Sequence, residues 1–384
     1  MRVYLAAFGS GMGHATRMAA VGRGLVASGN HVAFSSSGDV AGWLRSRGFP
    51  CNDIPLADVV FDHEGAFSAI ETLKFSPVIM GRLCEQVQCE IANLRSFSPD
   101  VVVSDTMITT VLASWVLGIR TIAVVNQMRL FSSPRTPRAF AQVLTGTSVT
   151  LVNAFWERCD QILIPDLPPP FTISERNLWH AGSASERARY VGFLSPGASE
   201  EGEDDPALAG WREETRKRKV FWQISGPKAT RGPLLSKAVE IAKALEEECL
   251  FVITAGDPVG DTTPAPIPGG FLYRWCECPG QFIRSCDSLV SRAGHVSISE
   301  FVRAGKPCLL VPIMAQTEQI GNALKAQKLG FALAMDERTL TPGSLMGAFR
   351  ELSRGQYSRK AEELRMISEG HDAVKTVLTA IGAG

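Results

Sequence analysis

The feature that most constrains this chain is a repeated alternation of short apolar runs with longer helical patterns. "RVYLAAF" (2–8), "PDVVVSDT" (99–106) and "RTIAVVN" (120–126) have the composition of buried strands, and amphipathic segments separate them. Strands rich in Val, Ile and Leu that are joined by helices are typical of a parallel sheet covered on both faces. The sequence therefore predicts an α/β fold.

The alternation stops once and then starts again. Between residues 195 and 218 the chain is rich in Gly, Pro and acidic residues, which is a linker composition, and "KVFWQISG" (219–226) then begins a second series of strands. We therefore predict two tandem Rossmann-like, doubly wound domains that face a cleft. The predicted boundaries are an N-terminal domain at 1–194, a linker at 195–218, a C-terminal domain at 219–355, and at 356–384 a helix that packs on one domain or bridges both.

Composition and charge exclude several classes of function. The 384 residues carry 39 basic and 39 acidic side chains, so no basic surface indicates nucleic-acid binding. Nine cysteines without a CxxC pair indicate reduced thiols rather than a zinc site, and no bound metal or cofactor is expected. The N-terminus does not resemble a signal peptide and no apolar run could span a bilayer. A cytoplasmic protein is expected, with peripheral contact to the inner face of the membrane left open.

Three glycine-containing turns follow predicted strands and precede predicted helices. They are "GSGMGH" (9–14), "SGPKATRG" (225–232) and "RAGHVS" (292–297). A glycine turn before a helix N-terminus is a common binding site for phosphate, because unpaired N–H groups and the helix dipole point at the ligand. Each turn taken alone is equally compatible with an ordinary connection between a strand and a helix.

The third turn is followed by polar side chains at helical spacing. Ser297 lies in the first turn of the helix predicted at 296–304, and Glu300 lies three residues further on the same face. A carboxylate there could accept hydrogen bonds from both hydroxyls of a ribose. Alternatively, Glu300 is an ordinary solvated residue of the helix. Glu318 and Gln319 follow the next strand and suit a sugar with several hydroxyls, or simply begin a helix.

These residues also carry a family resemblance. "SRAGHVSISEFVRAGKPCLLVPI" (291–313), followed by "EQIGNA" (318–323), resembles the donor-binding signature of two-domain GT-B glycosyltransferases, in particular the UDP-glycosyltransferase superfamily and the MurG-like N-acetylglucosaminyltransferases. "GMGHATRMAAVGRGLVASGNHV" (11–32) is similar to the opening of their acceptor domain. The resemblance implies transfer of a hexose of the glucose or N-acetylglucosamine type from a UDP-sugar to a hydroxyl.

The resemblance also implies roles for individual residues. Ser225 and Gly226 would approach the diphosphate, which the turn at Gly294, His295, Val296 and Ser297 would hold. Glu300 would bind the ribose, the backbone near Trp275 and Cys276 would read the base, and Glu318 and Gln319 would hold the sugar. Arg292 stands where many members have His, and would pair with phosphate. The turn "SGPKATRG" departs from the "GGS" type of the MurG-like enzymes, which leaves UDP, GDP and dTDP open.

Transfer to a hydroxyl requires a base, and His14 is the candidate. It lies at a predicted strand end and helix N-terminus, where the helix dipole favours a neutral imidazole. Asp105 ends another strand and could orient the ring. Each could instead act only as a helix cap. Direct displacement with help from a base would invert the anomeric configuration. Asn126 and Gln127 would line the acceptor site.

Other functions stay open at this point. A nucleotide-sugar 2-epimerase would use the same donor site without an acceptor, and a non-catalytic sugar-nucleotide-binding subunit would need a partner. A dinucleotide dehydrogenase ranks last, because "HVAFSSSGD" lacks a clear acidic residue for a ribose. The acceptor itself, a small molecule or a lipid-linked hydroxyl, and the oligomeric state are not specified by the sequence.

Overall fold

The computed structural model describes residues 1–57, 74–128, 153–178, 187–195, 206–313 and 316–382. The chain divides into two compact units. The first contains the described residues of 1–195 together with 371–382, and the second contains the described residues of 206–370. The last segment of the chain therefore belongs to the first unit.

The first unit is built on a seven-stranded sheet in which every described pairing is parallel. Its strand order is β3-β2-β1-β4-β5-β6-β7. The strands are β1 (Arg2–Ala7), β2 (His31–Ser36), β3 (Cys51–Asp53), β4 (Val101–Asp105), β5 (Arg120–Val124), β6 (Gln161–Ile164) and β7 (Ala188–Tyr190). The order reverses between β1 and β4. In open α/β sheets this switch point is where loops diverge and ligands bind.

The second unit has a second seven-stranded sheet, of order β10-β11-β9-β8-β12-β13-β14. Only the pairing of β10 with β11 is antiparallel among its described pairings. The strands are β8 (Arg218–Gln223), β9 (Cys249–Thr254), β10 (Ala265–Ile267), β11 (Gly270–Tyr273), β12 (Ser288–Ser291), β13 (Cys308–Leu310) and β14 (Ala332–Ala334). Here the switch point lies between β8 and β12.

The helices pack on these sheets. They are α1 (Met12–Ala27), α2 (Gly38–Ser46), α3 (Ser76–Phe97), α4 (Ile108–Val116), α5 (Glu175–Leu178), α6 (Pro206–Glu213), α7 (Lys228–Ala244), α8 (Pro279–Ser285), α9 (His295–Arg303), α10 (Thr317–Leu329), α11 (Pro342–Leu352), α12 (Gly355–Glu369) and α13 (Ala373–Ile381). Together with the alternating strands they confirm the predicted doubly wound α/β architecture in both halves of the chain.

Two segments differ from the sequence interpretation. The predicted linker contains α6, whose Trp211 is fully buried, contacts the ring of Phe282 edge-on at 5.5 Å and donates its indole N–H to Ser285 Oγ at 2.9 Å. The single helix expected near the C-terminus is divided at Gly370 into α12 and α13. α12 packs in the second unit and α13 in the first, because a short break lets the apolar residues of each helix cover a different surface.

α13 covers the first helix of the chain. A Cβ atom placed on Gly24 of α1 would lie 3.0 Å from Val374 Cγ1 and 3.3 Å from Leu378 Cδ1, so the two helices approach closely where α1 has no side chain. Arg120, at the start of β5, donates to the carbonyls of Ala380 and Ile381 at 2.7 and 2.9 Å. These contacts tie the end of the chain to the unit that contains its beginning.

The helix α3 begins with exposed apolar side chains. Phe75, Val78 and Met80 are 49%, 53% and 57% exposed, so the start of this helix places apolar side chains on the surface. Within the part of the chain that the structure describes, no helix is both long and apolar enough to cross a bilayer.

Candidate active site

The switch point of the first unit contains the predicted pair of His14 and Asp105. Asp105 is the last residue of β4, and His14 lies in the first turn of α1, which follows β1. Because β1 and β4 are neighbouring strands, the two side chains meet, with His14 Nδ1 2.9 Å from Asp105 Oδ1. Asp105 is fully buried, whereas the side chain of His14 is 21% exposed, so the ring is the member of the pair that solvent or a ligand can reach.

A third side chain, Arg17, joins this pair and was missed by the sequence analysis. It lies one turn after His14 on α1 and is 2% exposed. Arg17 Nε donates to Asp105 Oδ2 and Nη2 donates to Oδ1, so the carboxylate is held through both oxygens. Asn126, two residues beyond β5, accepts from both Nη atoms of Arg17 at 3.2 Å. The oxygen of Asn126 is thus part of this network, and its place at the acceptor site stays a prediction.

The charges in this cluster are set by burial and by Arg17. Burial alone would raise the pKa of Asp105, but the Arg17 cation and then His14 outweigh burial and lower the pKa to about 2. Asp105 is therefore ionised at neutral pH. Because the pKa of Asp105 is below the ordinary value of 3.8, its ionised form stabilises the folded protein above about pH 3.8. This stabilisation is lost as the pH falls towards 2.

A glycine precedes α1, the helix that carries His14. Gly11 is the N-cap residue, with φ of 124°, a conformation that favours glycine, and it contributes no side-chain cap. Phe8 contacts the His14 ring edge-on, with 5.6 Å between centroids. The ring thus lies at an uncapped helix N-terminus, where the dipole disfavours a positive charge on the imidazole.

The second unit presents two glycine turns at its own switch point. Gly226 follows β8 and Gly294 follows β12, and these strands are paired with Gln223 opposite Ser291. Gly294 is the N-cap of α9 and provides no side-chain cap. The two turns therefore lie at the same edge of this sheet.

The predicted donor residues of α9 lie along its first two turns. His295 and Ser297 are buried, whereas Val296 and Glu300 are partly exposed. The backbone N–H groups of a first helical turn have no acceptor within the helix. Ser225, in the neighbouring turn, is also partly exposed.

Arg292 has a different environment from the one expected. Its guanidinium is 1% exposed and forms an ion pair with Glu337, with 2.7 Å between Nη1 and Oε2. Nη1 also donates to the carbonyl of Val311 at 3.2 Å, and Nη2 to the carbonyl of Thr230 at 3.0 Å. Both Nη atoms bind protein oxygens in this structure, and the pairing of Arg292 with phosphate that the resemblance implies stays a prediction. Glu337 lies 45 residues away in sequence, and no local pattern marks it.

The residues predicted to hold the sugar divide into two groups. Gln319 is 6% exposed and its Oε1 accepts from the backbone N–H of Ile313 at 3.0 Å, which fixes the loop after β13. Glu318, in the first turn of α10, is partly exposed. Near the predicted binding site of the nucleotide base, the backbone N–H of Trp275 donates to the carbonyl of Asp261 at 3.2 Å, and Cys276 is buried. Among the described residues, no three His, Cys, Asp or Glu side chains converge as a metal site would require.

The conformation of Gly226 gives a testable prediction. Its φ is 107°, and an added Cβ would lie 3.1 Å from Ile313 Cδ1. Gly226→Ala is therefore expected to lower the free energy of unfolding by about 1–3 kcal/mol, through backbone strain. Urea unfolding measures this, with Gly347→Ala as the control. Gly347 lies within α11 and has no atom within 4 Å of an added Cβ, so alanine there should stabilise slightly. Equal stability of the two variants would contradict the strained backbone conformation at Gly226.

Comparison with known proteins connects this geometry to a class of enzyme. Residues 279–377, which contain the turn at Gly294 and all of α9, match the glycosyltransferase family 28 C-terminal domain. A protein of Methanosarcina mazei named as an uncharacterized glycosyltransferase is 25% identical over 383 residues, covering 98% of this chain and 97% of that protein. A second relative, from Methanosarcina acetivorans, has the same name and is also 25% identical, with the same coverage.

A partial relative matches a shorter part of the chain. The UDP-N-acetylglucosamine–N-acetylmuramyl-(pentapeptide) pyrophosphoryl-undecaprenol N-acetylglucosamine transferase of Methylibium petroleiphilum is 36% identical over 92 residues. That alignment covers 23% of this chain and 25% of the relative, so the similarity to MurG-like enzymes is confined to one segment.

Solved structures share the fold over the whole chain. Spinosyn rhamnosyltransferase SpnG superposes with a TM-score of 0.69 at 16% identity, covering 99% of this chain and 100% of that one. Streptomyces sp. SF2575 glycosyltransferase SsfS6, in complex with thymidine diphosphate, gives a TM-score of 0.67 at 18% identity, covering 99% of both chains. The chain is therefore a glycosyltransferase with the GT-B fold, and its residues 279–377 match a glycosyltransferase family 28 C-terminal domain.

Proposed function

We propose that the enzyme transfers a hexosyl group of the glucose or N-acetylglucosamine type from UDP to a hydroxyl acceptor, with inversion and without a metal ion. The observation that carries this proposal is the uncapped N-terminus of α9, followed on the same helix by Ser297 and Glu300, within the segment that matches the family 28 domain. A diphosphate suits the helix N-terminus, and a carboxylate one turn further along suits the hydroxyls of a ribose.

The donor would bind through groups that the second unit presents at its switch point. The amides of Val296 and Ser297 would hold the diphosphate, assisted by the turn at Ser225 and Gly226. Glu318 would accept from hydroxyls of the sugar. Gln319 would donate through Nε2, because its Oε1 accepts from Ile313 N–H. Backbone groups near Trp275 and Cys276 would contact the base.

Two lines of similarity bear on which nucleotide is used. The partial relative is named for a UDP-N-acetylglucosamine donor, and it matches in sequence. The structural neighbours in complex with thymidine diphosphate match in fold at 17–18% identity. We favour UDP because the partial relative matches in sequence at 36% identity, whereas the structural neighbours match at 17–18%.

The chemistry would use the helix N-terminus and the cluster of the first unit. Negative charge that develops on the departing diphosphate would be stabilised by the α9 amides and dipole. His14 Nε2 would accept the proton of the attacking hydroxyl while Asp105 holds Nδ1–H. A single displacement on the face opposite the diphosphate inverts the anomeric centre. The acceptor is proposed only as a hydroxyl, on a small molecule or on a lipid.

Calorimetric titration of the full chain with UDP, TDP and GDP, first with EDTA and then with Mg²⁺, tests the donor site. We expect UDP to bind in EDTA and to bind more tightly than the other two. Tighter binding of TDP would replace UDP in the proposal, and a requirement for Mg²⁺ would overturn the metal-free mechanism. Absence of binding by all three nucleotides would overturn the donor site itself.

Proton NMR of a reaction with UDP-glucose or UDP-N-acetylglucosamine and a panel of hydroxyl acceptors tests the transfer. The α-anomer of the donor should give a β-linked product. An α-linked product would overturn inversion, and a donor returned with altered configuration at C2 would indicate epimerisation. Binding without turnover across the panel would favour a non-catalytic role.

A further inference from the structure

Arg17 connects three elements of the first unit at the point where His14 lies. It extends from α1 to Asp105 at the end of β4 and to Asn126 beyond β5. Its guanidinium is buried, and Nη2 also lies 2.9 Å from His14 Nδ1. A buried cation within hydrogen-bond distance of a proposed base requires an explanation, because it opposes a positive charge on that base.

The first consequence concerns Asp105. A carboxylate with no exposed surface ordinarily takes up a proton unless a charge and hydrogen bonds compensate it. Arg17 supplies both, through two N–H groups directed at the two carboxylate oxygens. Such bidentate contacts fix orientation as well as charge. Asp105 is therefore held as an anion, in one orientation, in front of the His14 ring.

The second consequence concerns the ring. Among the residues that the structure describes, the charged groups that contact it are Asp105 from β4 and Arg17 from its own helix. Asn126 and Phe8, which also line the cluster, are uncharged. With a neutral imidazole the cluster carries no net charge, and a protonated ring would leave one uncompensated positive charge at a mostly buried site. Without Arg17, a protonated ring and Asp105 would form a neutral ion pair instead.

We propose that Arg17 is a positioning residue, which holds Asp105 ionised against Nδ1 of His14 and keeps the imidazole neutral. Nδ1–H then donates a hydrogen bond to the ionised Asp105, which leaves Nε2 as the basic atom of the ring. If Arg17 Nη2 instead donated to Nδ1 across the 2.9 Å contact, the ring proton would be on Nε2. The lone pair of Nδ1 would then face the carboxylate oxygen of Asp105, which is repulsive. The inference rests on the proposed function in one respect only, that His14 is the base.

The test follows the ring of His14 directly and needs neither donor nor acceptor. Nitrogen-15 NMR of histidine-labelled protein gives the pKa and the tautomer of each of the six histidines, and the signal missing in His14→Gln assigns His14. Wild type should show the proton on Nδ1. In Arg17→Gln the pKa of His14 should rise by about one unit or more, a tenfold change in its proton affinity.

Two further variants separate positioning from mere folding. Arg17→Lys keeps a positive charge and should shift the pKa of His14 less than Arg17→Gln does. The double variant Arg17→Gln/Asp105→Asn leaves no buried charge unpaired, so it remains informative if Arg17→Gln does not fold. In the double variant the pKa of His14 should be lower than in Arg17→Gln, and the ring should no longer prefer the tautomer with its proton on Nδ1.

The proposal is overturned if wild-type His14 carries its proton on Nε2, or if the variants lower the melting temperature while the titration and tautomer of His14 stay as in wild type. The second result would make Arg17 only a tie between helix and sheet. Failure of the proposed function would appear elsewhere, as absent nucleotide binding, and would leave this titration unaffected.

Discussion

Replacing His14 with alanine is expected to lower kcat for glycosyl transfer by about 10²–10⁴-fold, the usual contribution of a positioned general base. The ring lies 2.9 Å from a fully buried carboxylate, and it is the exposed member of the pair. UDP affinity should be unchanged, because the proposed donor site lies in the second unit. Donor consumption followed by phosphorus NMR gives kcat, and calorimetry gives the UDP dissociation constant.

Two control variants sharpen this experiment. His31→Ala removes an exposed histidine at the start of β2 and should retain wild-type activity. His14→Gln keeps a side-chain amide that can donate to Asp105 but supplies no base, and should be as inactive as His14→Ala. Near-normal activity of His14→Gln would show that the ring only shapes the site and would remove His14 from the mechanism.

Removal of the Glu300 carboxylate is the second large effect that we expect. UDP should bind at least about tenfold more weakly to Glu300→Ala, since two ribose hydroxyls would lose a charged acceptor. The sharper measurement compares UDP with 2′,3′-dideoxy-UDP on both proteins. If Glu300 binds the ribose, wild type should discriminate between the two nucleotides and Glu300→Ala should bind them equally, which forms a thermodynamic cycle for that contact alone.

The control for this cycle is Glu363→Ala. Glu363 also lies on a helix of the second unit, is 49% exposed and pairs with Lys360. Its removal should leave both affinities at the wild-type level. If Glu300→Ala still discriminates between the two nucleotides as strongly as wild type does, the ribose binds elsewhere. This conclusion holds even if the overall affinity for UDP has fallen.

The sequence predicted those residues of the site that lie at the ends of strands. Asp105 ends a continuous apolar run and His14 follows a glycine turn, so both lie at the carboxyl edge of a parallel sheet whichever way the remaining chain packs. That the two strands are neighbours follows from the usual doubly wound order. The turns at Gly226 and Gly294 were predictable for the same reason.

The parts that were missed depend on where long side chains point. Arg17 lies in "GHATR", one turn after His14, and that spacing on a shared helix face was the available signal. An arginine on a helix is usually solvated, so nothing local indicates that this one reaches two strand ends. The ion pair of Arg292 with Glu337 was also missed, because the two residues are distant in sequence.

Helix α6 was missed for a compositional reason. The segment before it is acidic and rich in Gly and Pro, and eight residues are too few for a periodic pattern to stand out. Trp211 is the exception, since a large aromatic side chain in a polar segment is more often buried than solvated. Its contact with Phe282 shows that the second unit begins before the first strand of its sheet.

The path of the C-terminal segment has a practical consequence for recombinant work. The first unit is discontinuous in sequence, because α13 covers Gly24 of α1 and receives hydrogen bonds from Arg120. A fragment that stops near residue 195 would expose that surface, whereas the described residues of the second unit all lie between residues 206 and 370. Chimaeras that exchange the second unit between relatives therefore need two junctions, one near residue 195 and one near residue 370.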